Sequence, residues 1–353
     1  FSVPLDVLID IGLDVLRPAG YVMDHLAQIA TRALLHLGHD GPYRRPADDL
    51  ILAEAIPIIG TLEDQSWVEK HLFPQTTKLD VIVNCVESFP DYEGRYTQLI
   101  DLVLKIADKS NAEGVKPLVL WSSGCKDYGQ TLLHGDPDLA PHTEDSPINA
   151  PAKPILDRTK TSMRIFAHGD AFDGVILRPT SVYGYSNSYY GGLMDYAADQ
   201  AAKGHKTLRV PGQANTVMHA AHVDDCAEAY VALAQHADRQ AVAGAKYFNI
   251  SAHRYETAGE VCGALAAEYG LVDGVEFVAA DQLDDSFPSG LHFACAFSQW
   301  VGSESIRRLT GWRDTRPLFS EDMGVYRRAY EAEAEKGHEN IVSTRQRLRE
   351  LKG

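Results

Sequence analysis

An apolar run at residues 117–121, Pro-Leu-Val-Leu-Trp, stops abruptly at Ser122, Ser123 and Gly124. Five apolar residues without polar alternation fit a short strand buried on both faces, the kind found in parallel sheets. The serines and glycine that follow are loop formers. In an open parallel sheet, ligands bind in the crevice outside the carboxyl ends of the strands. Side chains just after Trp121, namely Ser122, Ser123, Lys126 and Tyr128, are therefore the first candidates for chemistry.

The pattern before and after this strand alternates in the same way. Strands are expected at residues 5–11, 55–59, 79–85, 174–177, 246–250 and 275–278, with a further one following His39. Helical spacing of apolar residues predicts helices at 22–37, 96–110, 155–167, 226–235, 257–269, 300–310 and 323–336. Residues 129–154, with His134, His142, Glu144 and Asp145, read as a polar loop at the mouth of the crevice. Residues 331–352 are highly charged and read as a solvent-exposed helix or a tail that contacts a partner.

Several segments carry motifs in addition to pattern. Ser-Ser-x-x-x-x-Tyr-Gly spans residues 122–129, Arg-Pro-x-x-Val-Tyr-Gly spans 178–184, and His222-Val223-Asp224-Asp225 precedes the 226–235 helix. Lys160 lies on the 155–167 helix, and Gly311-Trp312 forms a late turn. Together these resemble the extended short-chain dehydrogenase/reductase superfamily, in its epimerase/dehydratase branch, from about Asp6 to Leu318. The resemblance implies an α/β fold, a Rossmann-like doubly wound parallel sheet with a smaller C-terminal substrate-binding lobe. It places residues 1–178, also receiving 215–250, in the Rossmann-like domain. Residues 179–214 and 251–330 then form the lobe, and 331–353 a charged C-terminal helix or tail.

The same resemblance exposes departures. The family's serine or threonine acid partner falls at Gly124, and the tyrosine of its Tyr-x-x-x-Lys falls at Leu156, which leaves only Lys160. A Gly-x-x-Gly-x-x-Gly loop binds the dinucleotide because its glycines allow a tight turn, approach of backbone to pyrophosphate and close helix packing. Here Arg17 and Met23 occupy the outer slots and Gly20 alone remains. Glu87 stands where the family keeps small residues near the ribose. Arg44 follows the second strand, where arginines accommodate a 2′-phosphate, so a bound nucleotide would be NADP rather than NAD. Gly20, Arg44 and Lys160 are the candidate nucleotide contacts. Asp224 is implied to cap the helix after it.

The charge and cysteine content exclude several classes. With 353 residues and 45% apolar content the chain can bury one large core plus a lobe. A net charge of −16 repels phosphate backbones and anionic membranes. Five scattered cysteines, without zinc-type spacing, suit a reducing compartment and predict no metal site. The apolar run at residues 7–16 is interrupted by Asp10 and Asp14 and reads as neither signal peptide nor membrane span, which predicts a cytoplasmic protein.

Three functions fit these observations. The first is an NAD(P)-dependent reductase or epimerase with substituted catalytic groups. The second, favoured because the altered slots belong to hydride chemistry, is a redox-neutral isomerase, cyclase, dehydratase or lyase with no cofactor. The third is a non-catalytic ligand sensor. For the second the candidate catalytic residues are Ser123, Lys126, Tyr128, Lys160, Tyr183 and Glu87. Ser122, Tyr189, Tyr190 and His219 are candidates for holding a small oxygenated substrate, with His219 better placed than His222 to reach the crevice. Homodimerisation through the 96–110 and 155–167 helices is implied by the family.

Overall fold

The computed structural model describes residues 8–10, 34–37, 56–85, 91–186, 189–283 and 286–350. In chain order its strands are β1 (Leu8–Asp10), β2 (Leu34–Leu37), β3 (Pro57–Gly60), β4 (Val81–Asn84), β5 (Leu118–Ser122), β6 (Asp173–Pro179) and β7 (Ser181–Tyr183). They continue as β8 (Thr207–Pro211), β9 (Val217–Met218), β10 (Ala220–His222), β11 (Tyr247–Ile250), β12 (Glu256–Thr257) and β13 (Gly274–Val278). The helices are α1 (Tyr92–Ala112), α2 (Lys153–Met163), α3 (Tyr189–Ala202), α4 (Val223–Ala234) and α5 (Arg239–Ala245). After them come α6 (Ala258–Glu268), α7 (Ser289–Ala296), α8 (Glu304–Thr310), α9 (Met323–Glu335) and α10 (Glu339–Glu350).

Among the described residues β1, β4, β5, β6 and β11 pair in parallel, in the order β1-β4-β5-β6-β11. The parallel pair β2–β3 lies against β1. Because side chains alternate across a strand, each strand feeds two cores. Val81, Val83, Leu118, Leu120, Val175 and Leu177 pack with α4 residues Ala227, Tyr230 and Leu233. Ile82, Val119, Trp121 and Ile176 pack on the other face with Leu99, Val103 and Ile106 of α1. That two-sided burial is why β5 reads as an unbroken apolar run. Asp91 fixes the start of α1 by accepting a hydrogen bond from the Gly94 amide at 2.9 Å.

A third core lies beyond the sheet. It joins α3, α6, α7, α9 and α10 through Tyr190, Met194, Leu265, Leu291, Phe319, Tyr326, Tyr330 and Leu348. Gly191 and Gly192 allow the close approach: a β-carbon there would lie 2.5 Å from the Tyr330 ring and 2.5 Å from Leu348 respectively. No helix among the described residues is long and apolar enough to cross a membrane.

Several expected elements are corrected. Residues 34–37 form a strand and not the last turn of a helix, and the strand expected after His39 lies outside the described residues. A four-residue run of mostly leucines satisfies either period, and pairing with β3 decides it. The 300–310 helix begins only at Glu304, because Val301 bridges His142 in extended form. The charged C-terminal stretch is not simply a solvated tail, since α10 buries Ile341, Thr344 and Leu348. The cap of α4 is His222, whose Nδ1 accepts from the Asp224 amide at 3.1 Å, so Asp224 is not the capping residue.

Candidate active site

The crevice forms at the carboxyl ends of β4, β5 and β6. Ser122 ends β5, and its Oγ lies 2.7 Å from the Tyr230 hydroxyl while donating to Cys85 Sγ at 3.3 Å. Ser123 is tied back to β6 through its amide, which donates to the Leu177 carbonyl at 2.8 Å. One turn of 3-10 helix, Cys125–Tyr128, then aims consecutive side chains in different directions.

Asp127 points inward and is fully buried. Its carboxylate accepts from Arg158 Nη2 at 2.7 Å, Arg178 Nε at 3.1 Å and Ser123 Oγ at 2.7 Å. Burial alone would raise this carboxyl, but Arg158, Ser123 and Arg178 outweigh it and hold it below the usual carboxylate range. Arg178 also donates to the Tyr128 hydroxyl at 3.1 Å, and that hydroxyl donates to Asn249 Oδ1 at 2.9 Å. These contacts involve two of the candidate residues. Ser123 and Tyr128 serve a buried structural network, and burial pushes the Tyr128 phenol far above its ordinary value.

Gly124 explains how the network closes. Its backbone is extended, with φ at −170°, a conformation open to any residue, so the glycine is not there for its backbone. A β-carbon at Gly124 would sit 3.1 Å from Arg158 Nη2. The guanidinium therefore fills the space of the missing side chain. Leu156 on α2 is half-buried and Lys160 is exposed, and α2 directs Arg158, not Lys160, onto the turn after β5.

Tyr183, another candidate, lies in the core. It is 1% exposed, donates to the Pro317 carbonyl at 2.7 Å, and is packed by Tyr190, His222, Phe319 and Tyr326. Such a phenol is a core residue with its proton already committed. Glu87, Gly20 and Arg44 lie outside the described residues.

Lys126 points the other way from Asp127, into a cavity of about 20 Å³. That is room for about one water molecule. Ser181, Tyr189, Tyr190, Leu193, Met218 and Phe297 line it with Lys126. The ammonium lies 4.6 Å from the centre of the Phe293 ring and 4.2 Å from that of Phe297. Among the described residues it has neither a carboxylate nor a hydrogen-bond partner. The rings favour the cation by about 0.5–2 kcal/mol each. Burial and the nearby Arg158 charge act against it and pull the amine down to about 8.

The cavity also exposes groups that are already spent. His219 lines it, but Nε2 faces the Ala252 carbonyl at 3.1 Å and Nδ1 accepts from the Val301 amide at 3.2 Å. Burial holds its imidazole neutral, down to about 4. Gln299 donates to the Cys125 and Gly129 carbonyls, both at 2.7 Å. Tyr190 is buried against Phe319, with ring centres 4.5 Å apart, whereas Tyr189 is half-buried at the rim. The Phe293 and Phe297 cage went unseen in the sequence; two phenylalanines four apart carry no mark of facing a lysine far earlier in the chain. Among the described residues no three metal-ligating side chains come together.

A parallel sheet of this order, with chemistry gathered after its carboxyl ends and a helical lobe beside them, is the Rossmann-like fold of the extended short-chain dehydrogenases/reductases. The chain belongs to the NAD dependent epimerase/dehydratase family, whose profile matches residues 19–251. Similar solved structures include a dTDP-glucose 4,6-dehydratase from Bacillus anthracis in complex with NAD. It is 16% identical, with 93% of this chain and 98% of that one covered and a TM-score of 0.68. A UDP-glucose 4-epimerase from Thermotoga maritima with UDP-glucose is 16% identical, covering 93% and 100%, with a TM-score of 0.66. A UDP-glucuronic acid 4-epimerase from Bacillus cereus in complex with NAD is 14% identical, covering 92% and 99%, with a TM-score of 0.65. No curated protein matches.

Two of these three structures hold NAD, so the likeness does not support the expectation of no cofactor. At the two positions where the family's acid–base pair would fall, the described residues place no proton donor. Hydride transfer to or from a carbonyl needs a proton donor beside it. Gly124 and Leu156 carry none, and the neighbouring Arg158 is a permanent cation bound to Asp127.

Proposed function

We propose that the protein is an enzyme catalysing redox-neutral acid–base chemistry on a small oxygenated molecule, as an isomerase, cyclase, dehydratase or lyase, with Lys126 as its acid–base group. The observation that carries this reading is the position of the Lys126 amine. It is unpaired among the described residues, walled by aromatic rings, and drawn down to about 8. An amine in that range exchanges protons near neutral pH, where an ordinary lysine is locked as a cation. Ser181, Tyr189 and Tyr190 supply polar and aromatic wall.

A second reading, an NAD(P)-dependent reductase or epimerase, is favoured by the NAD in similar structures. One assay separates the two. The protein is incubated in deuterated buffer with a panel of hydroxylated carbonyl compounds, with and without NAD or NADP, and followed by proton NMR and nicotinamide absorbance. Acid–base chemistry predicts deuterium incorporation that Lys126→Met abolishes, without any nicotinamide signal. Turnover that requires nicotinamide and survives Lys126→Met contradicts the proposal, and binding of panel compounds without turnover points to a sensor.

A further inference from the structure

We propose that Lys126 is a covalent carbonyl-binding site, forming an imine with a small aldehyde or ketone. This rests on reading the Lys126 cavity as the substrate site, and it narrows the substrate to a carbonyl compound. Four features carry it. First, the amine is held by no carboxylate and no hydrogen bond among the described residues, so its lone pair is not committed once the proton leaves. A structural lysine is tethered, as Lys116 is to Asp173 at 2.7 Å.

Second, the two rings lie 4.6 and 4.2 Å from the nitrogen, a surround that suits a cation. An iminium carries the same positive charge at the same nitrogen, so the product keeps the stabilisation that the ammonium had. Third, the enclosed space beside the amine admits only a small group. Fourth, two further polar groups lining the cavity, His219 and Gln299, are fixed by backbone partners. They orient the walls and do not compete for the carbonyl carbon.

The step balances without a redox partner. The neutral amine donates its lone pair to the carbonyl carbon; the C–N bond forms as the carbonyl π pair moves to oxygen. A proton passes from nitrogen to that oxygen through water to give a carbinolamine. The hydroxyl takes a second proton from solvent and leaves as water, and the nitrogen lone pair closes the C=N bond of the iminium. Hydrolysis reverses it. An iminium draws electrons from the adjacent carbon, which makes loss of a proton or a carbon–carbon bond there easier.

The test uses the whole protein with acetaldehyde as probe and sodium cyanoborohydride to trap the imine, at neutral pH, with peptide mapping by mass spectrometry. Lys126 is expected to be ethylated at least tenfold faster than the exposed Lys153 and Lys160, because its own amine is drawn well below the ordinary lysine value. Lys126→Met should lose that adduct while the other lysines react as before. If Lys126→Met does not fold, Lys126→Arg supplies the same comparison. Labelling of Lys126 no faster than Lys153 and Lys160 overturns the imine. Proton exchange that depends on Lys126 without any adduct also overturns it and leaves the acid–base reading standing. An adduct with no exchange upholds the site and overturns that reading instead.

Discussion

Arg158 occupies the space that a side chain on Gly124 would need, with Nη2 3.1 Å from the position of a β-carbon there. The two residues act as one device: the glycine lets the guanidinium reach Asp127. Gly124→Ala or Gly124→Ser should therefore cost about 1–3 kcal/mol through overpacking. In the Arg158→Ala background the same substitution should cost less than half as much. Urea denaturation of the four proteins of that cycle measures the coupling, and simple additivity would contradict it.

Asp127 carries two guanidinium partners inside the protein. Asp127→Asn leaves Arg178, 2% exposed, without a counter-charge and should destabilise by about 3–5 kcal/mol. Ser123→Ala removes one hydrogen bond from the same carboxylate and should cost only about 1–2 kcal/mol. Chemical denaturation gives both values; equal effects would mean that the carboxylate is not the organising charge.

The buried histidines set an acid limit. Burial lowers both His219 and His222 to about 4, while in the unfolded chain they titrate near 6.5. Between those values the unfolded state binds more protons. Their contribution is thus complete above about 6.5 and is lost as pH falls towards 4, by up to about 1.4 kcal/mol per pH unit for each. The urea midpoint should fall steadily from pH 7 to pH 5, and His219→Gln should flatten that slope by roughly half. A flat profile over this range would contradict the assignment.

The C-terminal helix is held by contact, not only by charge. Arg345 pairs with Asp195 at 2.6 Å, and Leu348 abuts Gly192. Gly192→Ala should destabilise by about 1–3 kcal/mol through its clash with Leu348. Adding Leu348→Ala should recover part of the loss, although alone it costs about 2–5 kcal/mol as a cavity. Thermal melts of the three variants test this, and a double variant as unstable as the sum of both would contradict it.

Much of the sheet was legible because strands covered on both faces leave unbroken apolar runs, as at residues 118–121 and 175–177. Residues 34–37 misled because a four-residue strand and a last helical turn share the same leucines. The motif slots at Gly124 and Leu156 were visible as losses, but what replaced them was not. Arg158 reads as a surface residue until the fold brings it to Asp127. Tyr128 and Tyr183 looked reactive because sequence names the phenol and hides its partner, Asn249 in one case and Pro317 in the other. Lys126 could be named from its place after β5, but Phe293 and Phe297 lie far along the chain and only the tertiary fold shows the cage.

On the proposed reading, proton chemistry rests on Lys126 and not on a tyrosine–lysine pair. Selective ¹³C labelling of lysine side chains, assigned with Lys126→Arg, lets each amine be titrated by NMR in the folded protein. The expected result is that Lys126 titrates near 8, well below the ordinary lysine value of about 10.4. If Lys126 titrates with the others, the claim is contradicted.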